Sequence, residues 1–241
     1  MNRKLLILLA FLAMTVVSAN AAIWSDGFEA DDVADGTMVQ LMPPTNWDYS
    51  WDDPGTGEIY VADPCAGQFA AYEGDQYLVL GADPPNGNWG VVGIGVDHIP
   101  YALGLDETVT LSAMHAFEEI STGDWGSVSL AIHVTDSGGT WLATAVRSAF
   151  HNGFGDIAPG GGYGNVWTEY ELSWTNDGSL GDVGGIGIEV YAYGGDWSPP
   201  YGDGIPPWTK RSYFDNVNVV PEPATMALIA LGGLALLKRK K

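Results

Sequence analysis

Between residues 108 and 117 apolar and polar positions alternate, placing Val109, Leu111, Ala113, His115 and Phe117 on one face of an extended chain. Successive side chains of a strand point to opposite faces, so this period of two predicts a half-buried β-strand. The same pattern returns over Ser127–Thr135, with Val128, Leu130, Ile132 and Val134 inward. It returns again where Val166, Tyr170, Leu172 and Trp174 share a face, and where Ile186, Ile188 and Val190 do. Shorter strand candidates are Ile23–Glu29, Glu58–Ala62, Gln76–Ala82, Trp89–Val96, Trp141–Phe150 and Ser212–Val219. Turn-forming clusters such as Asp83-Pro84-Pro85-Asn86-Gly87 and Asp136-Ser137-Gly138-Gly139 separate them. No helical period is sustained. About ten strands with regular turns predict an all-β, two-sheet antiparallel sandwich. The Pro/Gly-rich stretches Met42–Gly57 and Gly194–Trp208 read as loops leaving that one domain.

The two ends follow a different pattern. Arg3 and Lys4, an apolar run from Leu5 to Val17, and Ala19-Asn20-Ala21 have the three parts of a removable signal peptide, spanning residues 1–21. At the far end Pro221-Glu222-Pro223 leads into an apolar run, Ala224–Leu237, closed by Lys238-Arg239-Lys240-Lys241. Fourteen residues at 1.5 Å rise make a helix of roughly 21 Å, shorter than the roughly 30 Å hydrocarbon core. Such a helix suits a transient membrane stop, with its basic end on the cytoplasmic side. The expected division is residues 1–21, 22–220 and 221–241.

The middle segment carries three basic residues, Arg147, Lys210 and Arg211, against 29 acidic ones, a net charge of −26. So acidic a surface repels nucleic acid and anionic lipid and attracts divalent cations. The acids are interleaved with aromatic and β-branched residues, which excludes the composition of a disordered chain. Cys65 is the only cysteine, so no intrachain disulfide can form.

Val220-Pro221-Glu222-Pro223-Ala224, the apolar helix and the terminal basic cluster together resemble the PEP-CTERM sorting signal of Gram-negative bacteria. The resemblance implies an exosortase-type processing enzyme as partner, cleavage near Pro221, Glu222 and Pro223, and delivery through the inner membrane to the outer envelope or extracellular matrix. A second resemblance joins the two ends of the middle segment. It opens with Asp26-Gly27-Phe28-Glu29 and closes with Tyr213-Phe214-Asp215-Asn216-Val217, similar to jelly-roll carbohydrate-binding modules and galactose-binding-like domains. In that group these two segments pair in adjacent strands and often hold a structural calcium.

Calcium takes six to eight hard oxygen ligands. The resemblance implies Glu29 and Asp215 as its carboxylate ligands, and Asp26 joins them by nearness in sequence. The alternative is that Glu29 and Asp215 cap strand ends. Asp31, Asp32 and Asp35 fall short of a self-contained calcium loop. Sugar binding calls for exposed aromatic rings. Trp47, Trp51, Trp197 and Trp208 lie in the long loops, and Tyr191 and Tyr193 point opposite to the inward Ile188 and Val190. Tryptophans in such loops also fold back as plugs on a sandwich edge.

Little points to catalysis. His98, His115, His133 and His151 lack metal-ligand spacing, and His115 falls on an apolar face. Glu118 and Glu119 would point to opposite faces of a strand. There is no Gly-x-Ser-x-Gly elbow. The expectation is an exported, non-enzymatic surface or matrix protein that contacts polysaccharide. The alternative is an enzyme on the same scaffold: a glycan-active hydrolase or lyase, or a calcium-dependent cyclase.

Overall fold

The structure, a computed structural model, describes residues 22–53, 57–63, 70–82, 89–117, 125–150, 156–157, 166–195 and 210–222. The expected signal segment and the expected C-terminal helix, with Cys65, Glu118, Glu119, His151, Trp197, Trp208 and Pro223, lie outside them.

The described strands form two sheets. The first contains β1 (Trp24–Asp26), β2 (Thr37–Gln40), β4 (Gly57–Asp63), β5 (Tyr77–Ala82), β7 (Thr108–Phe117), β11 (Thr168–Thr175) and β13 (Lys210–Pro221). Its order is β11-β7-β13-β5-β4-β2, with β1 paired to β13. The second contains β3 (Tyr49–Asp53), β6 (Trp89–Pro100), β8 (Trp125–Thr135), β9 (Trp141–Phe150), β10 (Asp156–Ile157) and β12 (Gly185–Gly195), in the order β10-β9-β8-β12-β6-β3. All pairings are antiparallel except the two-residue contact of β10 with β9. The single helical turn among the described residues is the 3-10 turn Glu29–Asp31, and no helix among them is long and apolar enough to cross a membrane.

The alternating positions deliver the core. Val109, Leu111 and Ala113 meet Leu130, Ile132, Ile188 and Val190 across the interface, all buried. His115 is buried on this same face beside Phe214, ring centroids 5.2 Å apart. Burial pushes its imidazole down to about 3, so it is a neutral core side chain. Val166 departs from the expected pattern. It precedes β11 and is 60% exposed, while Tyr170 and Leu172 are buried.

The first and last strands are neighbours: Trp24 pairs with Val219 and Asp26 with Val217. β13 changes partner along its length, pairing with β5 over residues 210–214 and with β1 from 217 onward. At the changeover its register against β7 shifts between Asp215 and Asn218, and Asn216 adopts the left-handed conformation, φ 46°. Such an irregularity re-aims a side chain, here the wholly buried Asp215.

Candidate functional site

Each sheet has an outward face, and the two differ. On the first sheet Tyr77, Val79, Ala116 and Tyr213 form a second small core roofed by Ala71 and Trp167. Trp167 donates its indole N–H to Ala70 O, 2.9 Å, so the chain covers this face itself. On the outward face of the second sheet Val91, Ala131 and Tyr191 form a third small core, with the partly exposed Trp51 and Tyr193 packed against it. There β6 supplies glycine where a side chain would stand: Gly93 lies between Trp51 and Tyr191, and Gly95 between Tyr49 and Glu189. A Cβ on Gly93 would sit 2.6 Å from Tyr191 Cβ and 3.0 Å from the Trp51 ring, and one on Gly95 would fall within the Tyr49 ring. The two glycines let the neighbouring rings lie down across β6.

The result is an aromatic platform. Trp51 and Tyr191 are 5.6 Å apart between ring centroids, and Tyr191 and Tyr193 are 5.7 Å apart. Tyr191 is buried, 6% exposed, which corrects the expectation of an open ring there, while Trp51 and Tyr193 are half-buried and the Trp51 indole Nε1 has no hydrogen-bond partner among the described residues. Burial and the adjacent Tyr193 push the Tyr191 phenol up to about 12. Beside the rings runs a polar chain absent from the sequence-based expectation. Tyr49 donates to Glu189 Oε1 at 2.8 Å, and burial with that carboxylate pushes the Tyr49 phenol upward. His133 Nε2 approaches Glu189 Oε2 at 3.2 Å, outside hydrogen-bond geometry, a charge contact only when the imidazole is protonated. His133 Nδ1 pairs with Thr144 Oγ1 at 2.9 Å. Trp141, 47% exposed, stacks on the His133 ring at 3.9 Å. The signal that could have revealed Glu189 is its place in phase with Tyr191 and Tyr193 on the polar side of β12.

Trp47 does not join them, which corrects the expectation placed on it. It is 5% exposed, stacked on Phe28 and edge-on to Trp24, and its indole N–H donates to Asp26 Oδ2 at 2.7 Å. With both ring faces covered it plugs the edge of the sandwich. Asp26 serves that plug: its Oδ1 accepts from Phe28 N at 3.0 Å.

Glu29 and Asp215 come together through one loop. Glu29 Oε1 accepts from Asp75 N and Gln76 N at 2.9 and 2.8 Å. Asp215 Oδ2 accepts from Tyr72 N and Glu73 N at 2.8 and 3.0 Å, and its Oδ1 from Asn216 N. Gly74, φ 67°, gives Glu29 its close approach. Burial pushes the Asp215 carboxyl up to about 6, with the Glu29 charge adding to it. A cleft of about 770 Å³ opens here, lined by Asp26, Glu29, Glu73, Asn216 and Asn218 among others. Its donors are hard oxygens, the right chemistry for calcium. Among the described residues, however, no three or more His, Cys, Asp or Glu side chains are grouped to hold a metal.

Pro221 ends β13 opposite Val109, and Glu222 N donates to Thr108 O at 2.8 Å. Residues 219–241 match the PEP-CTERM protein-sorting motif. The chain carries a PEP-CTERM sorting signal. The PEP-CTERM motif therefore starts inside the last strand of the sandwich, and it implies export and processing at the cell envelope by an exosortase. No curated protein matches the chain. Among solved structures, an apo cyclase from Fischerella sp. is similar at 16% identity and TM-score 0.55, over 86% of this chain and 98% of that one. The Stig cyclase Fisc from Fischerella sp. TAU, solved with an indole ligand, is similar at 15% identity and TM-score 0.54, over 82% and 94%. The CBM22-2 xylan-binding domain from Paenibacillus barcinonensis Xyn10C is a looser neighbour, 16% identical with TM-score 0.44, over 83% and 100%. The likeness to the two cyclases, each above a TM-score of 0.5, bears out the two-sheet sandwich.

Proposed function

We propose that this is an exported, non-catalytic surface or matrix protein that binds polysaccharide on the outward face of its second sheet. The observation that carries the reading is the aromatic cluster in which the half-open Trp51 and Tyr193 flank the buried Tyr191, seated on the glycines of β6 beside the Tyr49–Glu189 pair. Aromatic rings with a few fixed polar groups are what a sugar requires: ring faces pack on its C–H surfaces, and acceptors take its hydroxyls. The sorting motif supports a place at the envelope, and the loose likeness to a xylan-binding domain is compatible with the ligand class. A glycan array run with and without calcium tests it, with Trp51→Ala as comparison. Binding of the wild type to one glycan group, lost in the variant at unchanged melting temperature, is expected. Equal binding by the variant overturns the reading.

A structural calcium belongs to the same proposal. Glu29 and Asp215, with backbone carbonyls, would hold it and tie the 72–76 loop to both terminal strands, while Asp26 stays with the Trp47 plug. The Asp215 carboxyl, desolvated beside Glu29, is a place where a cation would relieve repulsion.

The second reading is an enzyme, a glycan-active hydrolase or lyase or a calcium-dependent cyclase. It is favoured by the acid-lined cleft at Asp26, Glu29 and Glu73 and by the cyclases' likeness in fold. New reducing ends released from the bound glycan would favour it over the binder.

A further inference from the structure

We propose that the outward face of the second sheet selects its polysaccharide by charge, accepting neutral chains and rejecting uronate or sulfate chains, with Glu189 as the specificity-determining residue. This rests on the platform reading above. Two independent observations carry it: the position of Glu189 and the absence of any cation to offset it.

Glu189 stands between Gly95 on one neighbouring strand and Ala131 on the other, with the Tyr49 ring laid over Gly95 and the His133 imidazole beside it, and its side chain keeps 14% of its surface exposed. Tyr49 holds its Oε1, which fixes the carboxylate beside Tyr191 and Tyr193. A sugar lying on those rings meets a fixed acceptor, favourable for hydroxyl or ammonium donors and unfavourable for a carboxylate or sulfate. Asp53 and Asp97, both exposed, share the outward side with Trp51 and Gly95.

Nothing basic answers them. Arg147 is the one Lys or Arg in the six strands of this sheet. It pairs opposite the buried Leu130, sits over the Tyr170 ring at 4.8 Å and donates to Glu171 O at 2.7 Å, so its charge is spent at the inner edge. Lys210 and Arg211 begin β13 in the other sheet. The titratable group facing Glu189 is His133, together with the Tyr49 phenol. The platform is therefore an acceptor surface within a body of net charge −26, and fields from exposed charges reach about 10 Å at 0.1 M salt.

The test uses the full-length protein and isothermal titration at pH 8. The probes are xylo-, cello- and mannohexaose and hexagalacturonate, each at low and high sodium chloride. Expected is binding of a neutral hexaose that salt leaves unchanged, and no binding of hexagalacturonate at low salt. Glu189→Gln should narrow the gap between neutral and galacturonate hexamers about tenfold or more, a charged–neutral difference of ordinary size. Should that variant misfold, the salt dependence of the wild type decides alone. Hexagalacturonate binding as tightly as the neutral hexaoses at low salt, or an unchanged gap in Glu189→Gln, overturns the charge selection and leaves the platform standing. Failure of every hexamer to bind overturns the platform reading itself, and the selection with it.

Discussion

Trp47 and Trp51 lie in one short stretch of sequence and have opposite fates. Trp47 is sealed between Phe28 and Trp24 with its indole on Asp26, whereas Trp51 lies half-open on β6 with its indole unpaired. Sequence alone treats them alike, because what separates them is the partner each ring finds across the fold. Trp47→Phe keeps the stacking and removes the donor, leaving the buried Asp26 carboxyl one hydrogen bond short. It should cost about 1–3 kcal/mol in urea unfolding while leaving glycan binding unchanged; lost binding with intact stability would reverse the assignment. Asp215 makes a second prediction. Its carboxyl is held up to about 6 by burial, above the roughly 3.9 of a free aspartate. The folded state thus holds this proton more tightly than the unfolded state. The resulting stability is present below about pH 4 and is lost as pH rises through about 6. In the presence of a chelator, the melting temperature of the wild type should therefore fall more steeply over that window than that of Asp215→Asn. Calcium, but not sodium at matched ionic strength, should cancel the difference. Parallel slopes would show that Asp215 is not the group responsible.

At the scale of elements, the long strands were legible because they keep strict alternation against a single core. The expected Thr108–Phe117 and Trp141–Phe150 coincide with β7 and β9, and Glu58–Ala62 with β4 to within one residue at each end. β2 and β3 were not expected. β3 reads Tyr49-Ser50-Trp51-Asp52-Asp53, at the edge of its sheet and beside prolines and turn formers, so local chemistry suggests a loop. It is a strand because the glycines of β6 receive its rings, a tertiary cause that the residues themselves do not display. The platform was half legible for the same reason. Tyr191 and Tyr193 follow from the phase of β12, while Tyr49, His133 and Trp141 join them through pairings distant in sequence. Gly95→Ala tests this construction. The added methyl displaces the Tyr49 ring, so glycan affinity should fall with little change in sheet content by circular dichroism. Full affinity in Gly95→Ala would mean that the seating of Tyr49 is irrelevant to binding.

For the whole molecule, the sandwich and the sorting signal are continuous, since Pro221 and Glu222 still bond to the edge of β7. This junction was legible from the Pro-Glu-Pro motif, but its attachment to β7 was not, because strand length is set by the partner strand. Processing should yield a mature envelope protein that lacks the C-terminal apolar segment, detectable by mass spectrometry. Recovery of a peptide ending at Lys241 from the outer envelope would contradict it. The net charge of −26 between residues 22 and 220 disposes the molecule against anionic partners. The proposed binding face is the outward side of the second sheet rather than the acidic cleft near the terminal strands. Hydrogen exchange of the full-length protein, with and without a saturating neutral glycan, separates the two. Slowed exchange is expected in segments covering residues 49–53 and 189–193, and unchanged exchange at 25–30 and 72–76. Protection confined to 25–30 and 72–76 would place the ligand in the cleft and contradict the proposed face.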